Sequence, residues 1–523
     1  MSEREYIVTL KKGVDYDAFN QEMIEETGAG NIPNRSATVA NARPGSQRNT
    51  HYALTEDEAD DLKNDTRVLD VAIPPEQDEN LEIGIQARVT GTFYKGASEL
   101  STQVIDWGKR RHSLVTEDTT WSTSLSGSYD YALDGSGVDV VIQDSGLQVD
   151  HPEFQDANGV SRVQQINWYT ESGISGTQSS NHYRDTDGHG THVAGTAAGK
   201  HFGWAKNSRV YSVKVAGLEG SGDSGTGISI SNCFDVIKLW HRNKPIDPNT
   251  GRKRPTIVNM SWGYSAGYTN ATSIVYRGTT YSSSNDPSFS SRTHLRDTYG
   301  LYPYLTSSGY RVPVRVTSVD TDVQELIDEG VHVCIAAGNN SFKVDLSGGD
   351  DYNNILFYSG GSRNYHRGSS PYSTEAFMVG SLLAQSSTAD NKVSFSTTGP
   401  GVDIYAAGDE ITSVTSTTNK FSDAAYYGGG GFRQCNIQGT SMASPQICGI
   451  GALYLQANPM LTPAQLRTMI HNDSSETMQA GSLTGYGDTN DAMGGPRRVA
   501  VSRYNKQVPF SSTLTGKYTS RSR

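Results

Sequence analysis

Val138-Asp139-Val140-Val141-Ile142 reads as a β-strand running into a carboxylate at Asp144. It is the first of several apolar runs separated by helical spacing. Val210-Tyr211-Ser212-Val213-Lys214-Val215, Ile257-Val258-Asn259-Met260 and Val331-His332-Val333-Cys334-Ile335 are further strands. Between them, His189 to Gly199 is a helix of small residues. Ile230, Cys233, Phe234 and Ile237 share one face of a second helix, and Val323, Leu326 and Ile327 mark a third. Apolar strands alternating with helices imply a parallel sheet covered on both faces. Ligands of such sheets bind at the carboxyl ends of the strands. Asp144, Ser261 and Asn339 each follow a strand, so all three are expected on one edge.

Working outward, residues 1 to about 76 look like a separate small α/β unit. Tyr6-Ile7-Val8-Thr9-Leu10 alternates like a strand, and Asp17 to Ile24 has helical spacing. Thr55-Glu56-Asp57-Glu58 is a capping-box pattern that opens a helix through Leu62, and Val68 to Ile73 closes as a strand before Pro74-Pro75. Residues 77–106 are polar and read as a connector. The alternating pattern holds from Trp107 to about 500, and 501–523 reads as a tail. Two long polar segments, about 264–318 and 341–376, interrupt the alternation. They read either as surface loops framing a site or as disordered decoration.

Composition excludes several classes. The 523 residues carry a formal net charge of −12, with no basic excess to neutralise phosphates, so no nucleic-acid partner is expected. No stretch approaches the roughly 20 apolar residues of a membrane helix, so no membrane partner is expected. The N-terminus lacks the cationic start and apolar core of a signal peptide, which leads to an expected cytoplasmic or virus-particle-associated location. Cys233, Cys334, Cys435 and Cys448 form no Cys-x-x-Cys pair, which argues against zinc. Cys334 and Cys448 read as buried small hydrophobes.

Two motifs carry the chemistry: Gly188-His189-Gly190-Thr191-His192-Val193-Ala194-Gly195 and Gly439-Thr440-Ser441-Met442-Ala443-Ser444-Pro445. A serine hydroxyl is a poor nucleophile unless a base takes its proton, and that base needs a partner to fix its tautomer. Ser441, His189 and Asp144 supply hydroxyl, imidazole and carboxylate. Ser441 is expected at the start of a helix running to about Leu455, with Pro445 in its first turn. In Ala336-Ala337-Gly338-Asn339, the Asn339 amide would donate to an oxyanion together with the Ser441 N–H. Asn259-Met260-Ser261-Trp262-Gly263 reads as a strand edge able to pair with an extended peptide. Each feature alone has an ordinary structural reading: a helix cap at Ser441, a turn at His189 or Asn339, a strand-end cap at Asp144. His189 and His192 also match a His-x-x-His metal pair, but no third ligand is offered. Gly222-Asp223-Ser224-Gly225 mimics a serine-nucleophile motif without its surroundings, so Ser224 reads as an exposed loop serine.

The order Asp, His, Asn, Ser with wide spacing resembles the subtilisin-like serine proteases, or subtilases, over about residues 107–500. The motifs are Asp144-Ser145-Gly146, His189-Gly190-Thr191-His192, Gly439-Thr440-Ser441-Met442-Ala443, and Asn339. The resemblance implies a three-layer α/β sandwich with a mostly parallel central sheet. It implies catalytic Asp144, His189 and Ser441, an oxyanion donor at Asn339, and substrate-binding Ser261, Trp262, Gly263 and Gly338. Residues 1–76 are similar to the subtilisin propeptide, which implies an inhibitor that is cut off between about 74 and 106. The stretch His201 to Asn207 is closer to the proteinase K type, so the tight calcium of subtilisin is not carried over. Asp403 falls where the proteinase K type has a calcium-binding aspartate, which implies calcium only as a structural ion; no other cofactor is required. Trp262 and Gln446 depart from the usual aliphatic residue and histidine, and Trp262 is expected to alter the neighbouring pockets. The expected partners are peptide or protein substrates and the chain's own N-terminal domain. The rival reading is a structural or binding protein with this fold that is self-inhibited or only self-cleaving.

Overall fold

The computed structural model describes residues 3–25, 35–78, 82–85, 106–113, 131–220, 222–248, 251–302, 310–384, 390–479, 486 and 492–505. The rest of the expected tail, 506–523, and connector residues 79–81 and 86–105 lie outside the described residues.

Six parallel strands form the central sheet. Their order across it is Ile404–Ala407, Phe377–Leu382, His332–Ala336, Thr256–Met260, Asp139–Asp144 and Arg209–Lys214. The alternation of the strands explains the layering. Val140 and Ile142 point into one apolar cluster, with Val193, Ala197 and Ile447 of the helices His189–Ala198 and Thr440–Ala457. Val141 points into the other, with Phe234 and Val323 of the helices Ile230–Asn243 and Thr317–Asp328. Both faces are therefore buried, as the near-continuous apolar runs require. Phe377–Leu382 and Ile404–Ala407 are additional to the strands read from the sequence.

Glycine sets how closely the segments on the first face approach. A Cβ on Gly449 would lie 2.5 Å from the Ala197 carbonyl oxygen, and one on Gly190 would lie 2.2 Å from that of Gly146. A larger residue at Gly449 would force the two helices apart, and one at Gly190 would push the His189 turn off the Asp144 strand end.

The two polar segments are neither loops alone nor disorder. Thr279–Tyr281, Ala271–Tyr276, Ile355–Tyr358 and Gly361–Asn364 pair across them as an antiparallel sheet. Its polar composition is reconciled by tyrosine packing and by buried Asp351, which pairs with Arg277 and Lys343. Part of the first segment, 303–309, lies outside the described residues.

The described residues among 4–72 form an antiparallel sheet in the order Thr38–Asn41, Asn49–Leu54, Arg4–Leu10, Val68–Ala72, with the helices Tyr16–Ile24 and Glu56–Leu62. The Thr55–Glu58 capping box is present. The unit has its own apolar cluster, built on Val8, Phe19, Tyr52 and Leu62. It meets the larger unit through a buried charge. Arg43 donates to Asp235 at 2.6 Å and Asp322 at 3.0 Å, one on each of the helices Ile230–Asn243 and Thr317–Asp328. Glu325 completes a buried acidic trio, paired with Lys238. Burial pushes the Asp322 carboxyl up to about 7, against the pull of Arg43.

Candidate active site

The carboxyl edge of the central sheet gathers the expected residues. Asp144 ends its strand, Ser261 follows Thr256–Met260, and Asn339 lies three residues past His332–Ala336. His189 and Ser441 enter from the first turns of their helices.

Asp144 Oδ1 lies 2.8 Å from His189 Nδ1, and both side chains are fully buried. A carboxylate only accepts, so Nδ1 carries the proton and Nε2 presents its lone pair. That Nε2 is buried and has no hydrogen-bond partner. The Asp144 carboxylate also accepts the Ser145 N–H at 2.7 Å.

The Ser441 hydroxyl is placed differently from the sequence-based expectation. It donates to the Ser261 carbonyl at 3.1 Å and not to His189. Pro445 accounts for part of this local arrangement. It occupies the second turn of the helix, not the first, and its missing N–H frees the Ser441 carbonyl, which accepts the Ser261 hydroxyl at 3.2 Å. Asn259 holds Ser261 from behind: its Nδ2 donates to Ser261 Oγ at 2.8 Å, and its Oδ1 accepts from Ser444 at 2.7 Å.

Asn339 is oriented by Thr440. Its Oδ1 accepts the Thr440 N–H and hydroxyl, each at 2.9 Å, which leaves the amide NH₂ as the unengaged end. The Thr440 hydroxyl also accepts the Gly338 N–H at 3.1 Å. The Ser441 N–H is among the first four of its helix, which have no intrahelical acceptor. Two donors are therefore available beside the hydroxyl.

Asp185 was not singled out from the sequence, yet it organises the His189 turn. It accepts the Gly188 N–H at 2.9 Å, the Thr191 N–H at 2.9 Å, the Thr191 hydroxyl at 2.6 Å and the Ser145 hydroxyl at 3.0 Å. Asp185 stands four residues before the helix start, outside the N-cap position held by Gly188, so no ordinary capping pattern marks it in the sequence. Asp187 beside it is held above the usual carboxylate range by burial, against Lys420.

Two expectations are corrected. Trp262 does not shape an open pocket. Its side chain is 1% exposed, its indole N–H donates to Gln143 at 3.2 Å, and it packs near Phe234 and Tyr264. An indole N–H inside a core needs an acceptor, and Gln143 draws it inward. Asp403 does not suit calcium. Its oxygens pair with Arg467 at 2.5 Å and His471 at 2.8 Å, so the Arg467 guanidinium already meets its charge and the His471 ring takes up its other oxygen. Gln446, the other departure, accepts from Lys109 at 3.1 Å and Trp204 at 2.5 Å, fixing the helix Trp107–Arg111 to the core.

His192 is no metal partner of His189. Its Nε2 faces the Ile411 carbonyl at 3.1 Å, and burial pushes its pKa down to about 3. Ser224 is exposed in its loop, and all four cysteines are buried thiols outside any disulfide.

A sequence profile of the Subtilase family, peptidase S8, matches residues 135–488, more than half of the chain, a span that includes Asp144, His189, Asn339 and Ser441. The chain belongs to the subtilase family. This subtilase is 26% identical over 346 residues to an extracellular serine proteinase of Thermus sp. strain Rt41A, covering 66% of this chain and 57% of that protein. It is 27% identical over 467 residues to subtilisin-like protease 4 of Trichophyton rubrum, covering 87% of this chain and 82% of that one. The chain thus spans little more than half the length of the Thermus relative. Fervidolysin of Fervidobacterium pennivorans, described as a keratinolytic enzyme related to subtilisin, superposes with a TM-score of 0.51 at 18% identity. The match covers 98% of this chain and 62% of that one, which supports the fold alone. The expected cytoplasmic or virus-particle-associated location is corrected by these relatives, since the Thermus protein is named as extracellular. Among the described residues, no helix is long and apolar enough to cross a membrane.

Proposed function

We propose that this chain is a serine endopeptidase using Ser441 as nucleophile, His189 as general base and Asp144 to orient the imidazole. One observation carries the reading: a buried imidazole held by a carboxylate through Nδ1, with Nε2 unengaged at the same sheet edge as the Ser441 hydroxyl. Catalysis begins when that hydroxyl turns from the Ser261 carbonyl onto Nε2. Ser441 Oγ then attacks the scissile carbonyl while His189 takes its proton, and the oxyanion forms against the Asn339 amide and the Ser441 N–H. His189 returns the proton to the leaving amine, and water hydrolyses the acyl-enzyme. The scheme routes no step through a metal: Asp403 is paired with the Arg467 guanidinium, and the acidic trio holds Arg43 and Lys238.

The substrate's backbone is read by the strand Trp262–Tyr268, with Ser261, Gly263 and Gly338 lining the approach. The chain's own Glu82–Ile85 supports this, because it lies antiparallel on that strand. The same observation favours a second state of the same enzyme: a precursor whose N-terminal unit blocks the site until it is cut away.

The test is labelling by a fluorophosphonate probe together with casein hydrolysis. The wild-type chain is expected to react with the probe, and Ser441→Ala to lose it. Turnover in Ser441→Ala falls by about 10⁶, a figure measured on subtilisin itself. A wild-type chain that neither labels nor hydrolyses casein, even after limited trimming of its N-terminus, sinks the reading.

A further inference from the structure

The strand Trp262–Tyr268 is the middle of a three-stranded antiparallel sheet, with Glu82–Ile85 on one edge and Tyr310–Pro313 on the other. The two neighbours cover different halves of it. Glu82 to Ile85 lie opposite Ser265 to Trp262, whereas Tyr310 to Pro313 lie opposite Tyr268 to Ser265. The far half, Ala266 to Tyr268, is therefore backed by Tyr310–Pro313 and has no strand partner among the described residues on the other edge.

In an antiparallel strand the main-chain groups of successive residues point to opposite edges. Tyr264 spends its own away from Glu82–Ile85: its carbonyl accepts the Val314 N–H at 3.1 Å, and its N–H donates to the Ser370 carbonyl at 3.2 Å. Gly263, Ser265 and Gly267 consequently present theirs to the Glu82–Ile85 edge. Gly84 and Glu82 stand opposite the first two, and Gly267 continues the row. The side chains of Trp262, Tyr264, Ala266 and Tyr268 all enter one apolar cluster, so the opposite face carries only Gly263, Ser265 and Gly267. Gly267 is exposed, and among the described residues nothing lies within 4 Å of where a Cβ on it would stand.

The far half owes its support to the two polar segments that interrupt the strand–helix alternation. Tyr310–Pro313 lies in the first of them. Tyr268 packs on Tyr358 with ring centroids 3.7 Å apart, and Tyr358 belongs to the antiparallel sheet that both segments build. Tyr268 and Val312 are buried in the same cluster as Ile274 and Leu356 of that sheet.

We propose that these inserted segments lengthen the substrate-reading strand, so that the site prefers extended polypeptides long enough to reach Gly267. This rests on the serine endopeptidase reading above. The Ser261 carbonyl receives the Ser441 hydroxyl at 3.1 Å, so a substrate residue opposite Ser261 stands beside the nucleophile. Taking that residue as the first and moving upstream, the third, fifth and seventh residues stand opposite Gly263, Ser265 and Gly267. Those residues make main-chain pairs with the strand, and the even-numbered ones between them do not.

The test uses the chain expressed in full, with hydrolysis of casein measured in parallel. Peptide p-nitroanilides of four to eight residues, with free amino termini, share the carboxyl-terminal residue that is cleaved fastest in an eight-residue panel and are otherwise alanine and serine. Addition of the fifth residue, and again of the seventh, is expected to raise kcat/KM about three- to tenfold, the scale of one or two net hydrogen bonds. The sixth and eighth should each change it less than about twofold, because their groups face away. N-methylation of the seventh amide nitrogen in the eight-residue peptide should cancel the second rise, and N-methylation of the sixth should leave it. Gly267→Pro removes the N–H of the last pair, at an edge position where proline is tolerated, and should cancel the second rise as well. Casein hydrolysis with kcat/KM flat beyond four residues, or rising without alternation, overturns the inference and leaves the protease reading intact. A second rise that survives both the seventh-position N-methyl group and Gly267→Pro overturns it too. A chain inactive on casein and on every peptide overturns the protease reading, and this inference with it.

Discussion

Two carboxylate–imidazole pairs of equal length sit at opposite edges of the same sheet. His189 lies 2.8 Å from Asp144, which ends its strand, and His471 lies 2.8 Å from Asp403, which precedes Ile404–Ala407. The first pair is fully buried and the imidazole spends Nδ1, leaving Nε2 without a hydrogen-bond partner. The second spends Nε2, shares its carboxylate with Arg467, and has a partly exposed imidazole. Separation alone therefore does not distinguish a base from a strut. What distinguishes them is which nitrogen is used, whether another cation neutralises the acid, and what stands at the remaining nitrogen.

The comparison breaks first at Asp144. If its role is to fix the tautomer, Asp144→Asn leaves the fold intact and lowers kcat by about 10⁴, as the same change does in chymotrypsin-like enzymes. An Asp144→Asn variant retaining more than a tenth of wild-type turnover would show that the two pairs differ less than their geometry implies.

Asn339 sharpens the contrast further, because the proposed oxyanion donor stands at the first pair's edge of the sheet. Asn339→Leu removes the donor while Thr440 keeps the backbone in place. The expected loss is about 10² to 10³ in kcat with KM little changed, a range that itself comes from subtilisin. A comparable rise in KM would instead assign Asn339 to ground-state binding.

A third acid–imidazole pair shows how burial can make such a contact purely structural. Glu153 is fully buried and accepts from the His201 ring at 2.6 Å, from the His201 N–H at 2.8 Å and from Tyr426 at 2.8 Å. Burial alone would raise its pKa, but these donors win and hold it at about 2, below the ordinary 4.5. A depressed carboxylate binds fewer protons folded than unfolded. Its stabilisation is present above pH 4.5 and is lost as the pH falls toward 2. At about 1.36 kcal/mol per unit this amounts to about 3 kcal/mol. Thermal unfolding of Ser441→Ala, chosen to prevent self-digestion, should show a steep fall in Tm below pH 4.5. The fall should be shallower when Glu153→Gln is added, and equal slopes would refute the assignment.

Legibility in the sequence followed the range of the interactions. The triad edge could be read because strand ends and small-residue turns are local signals, and the parallel sheet makes one edge of them. The Ser441 hydroxyl could not, since its direction depends on the Ser261 carbonyl 180 residues away. The sheet of the two polar segments was hidden for the same reason: Ala271–Tyr276 pairs with Ile355–Tyr358, and neither stretch has a core-like composition. Trp262 was misread because its acceptor, Gln143, lies on a strand distant in sequence. Asp403 is the instructive case. Arg467 and His471 are four apart in the helix Pro463–Asp473 and so share one face, a cationic pattern visible without the fold. What the sequence did not show was that this face covers the amino end of Ile404–Ala407.

That pattern makes the smallest prediction the cleanest control. His471→Gln keeps a donor for Asp403 and leaves Arg467 in place, so the carboxylate stays paired. The site is at the amino edge of the sheet, with the whole length of a strand between it and Ser441. Turnover on casein and the pH profile of kcat should therefore match wild type within about twofold, and stability should fall by at most about 1 kcal/mol, the scale of a partly exposed ion pair. A change in the pH profile is the informative failure. It would mean that an imidazole at the amino edge contributes to proton transfer at the carboxyl edge, and the distinction between the two pairs would then lie in coupling through the sheet, not in their local chemistry.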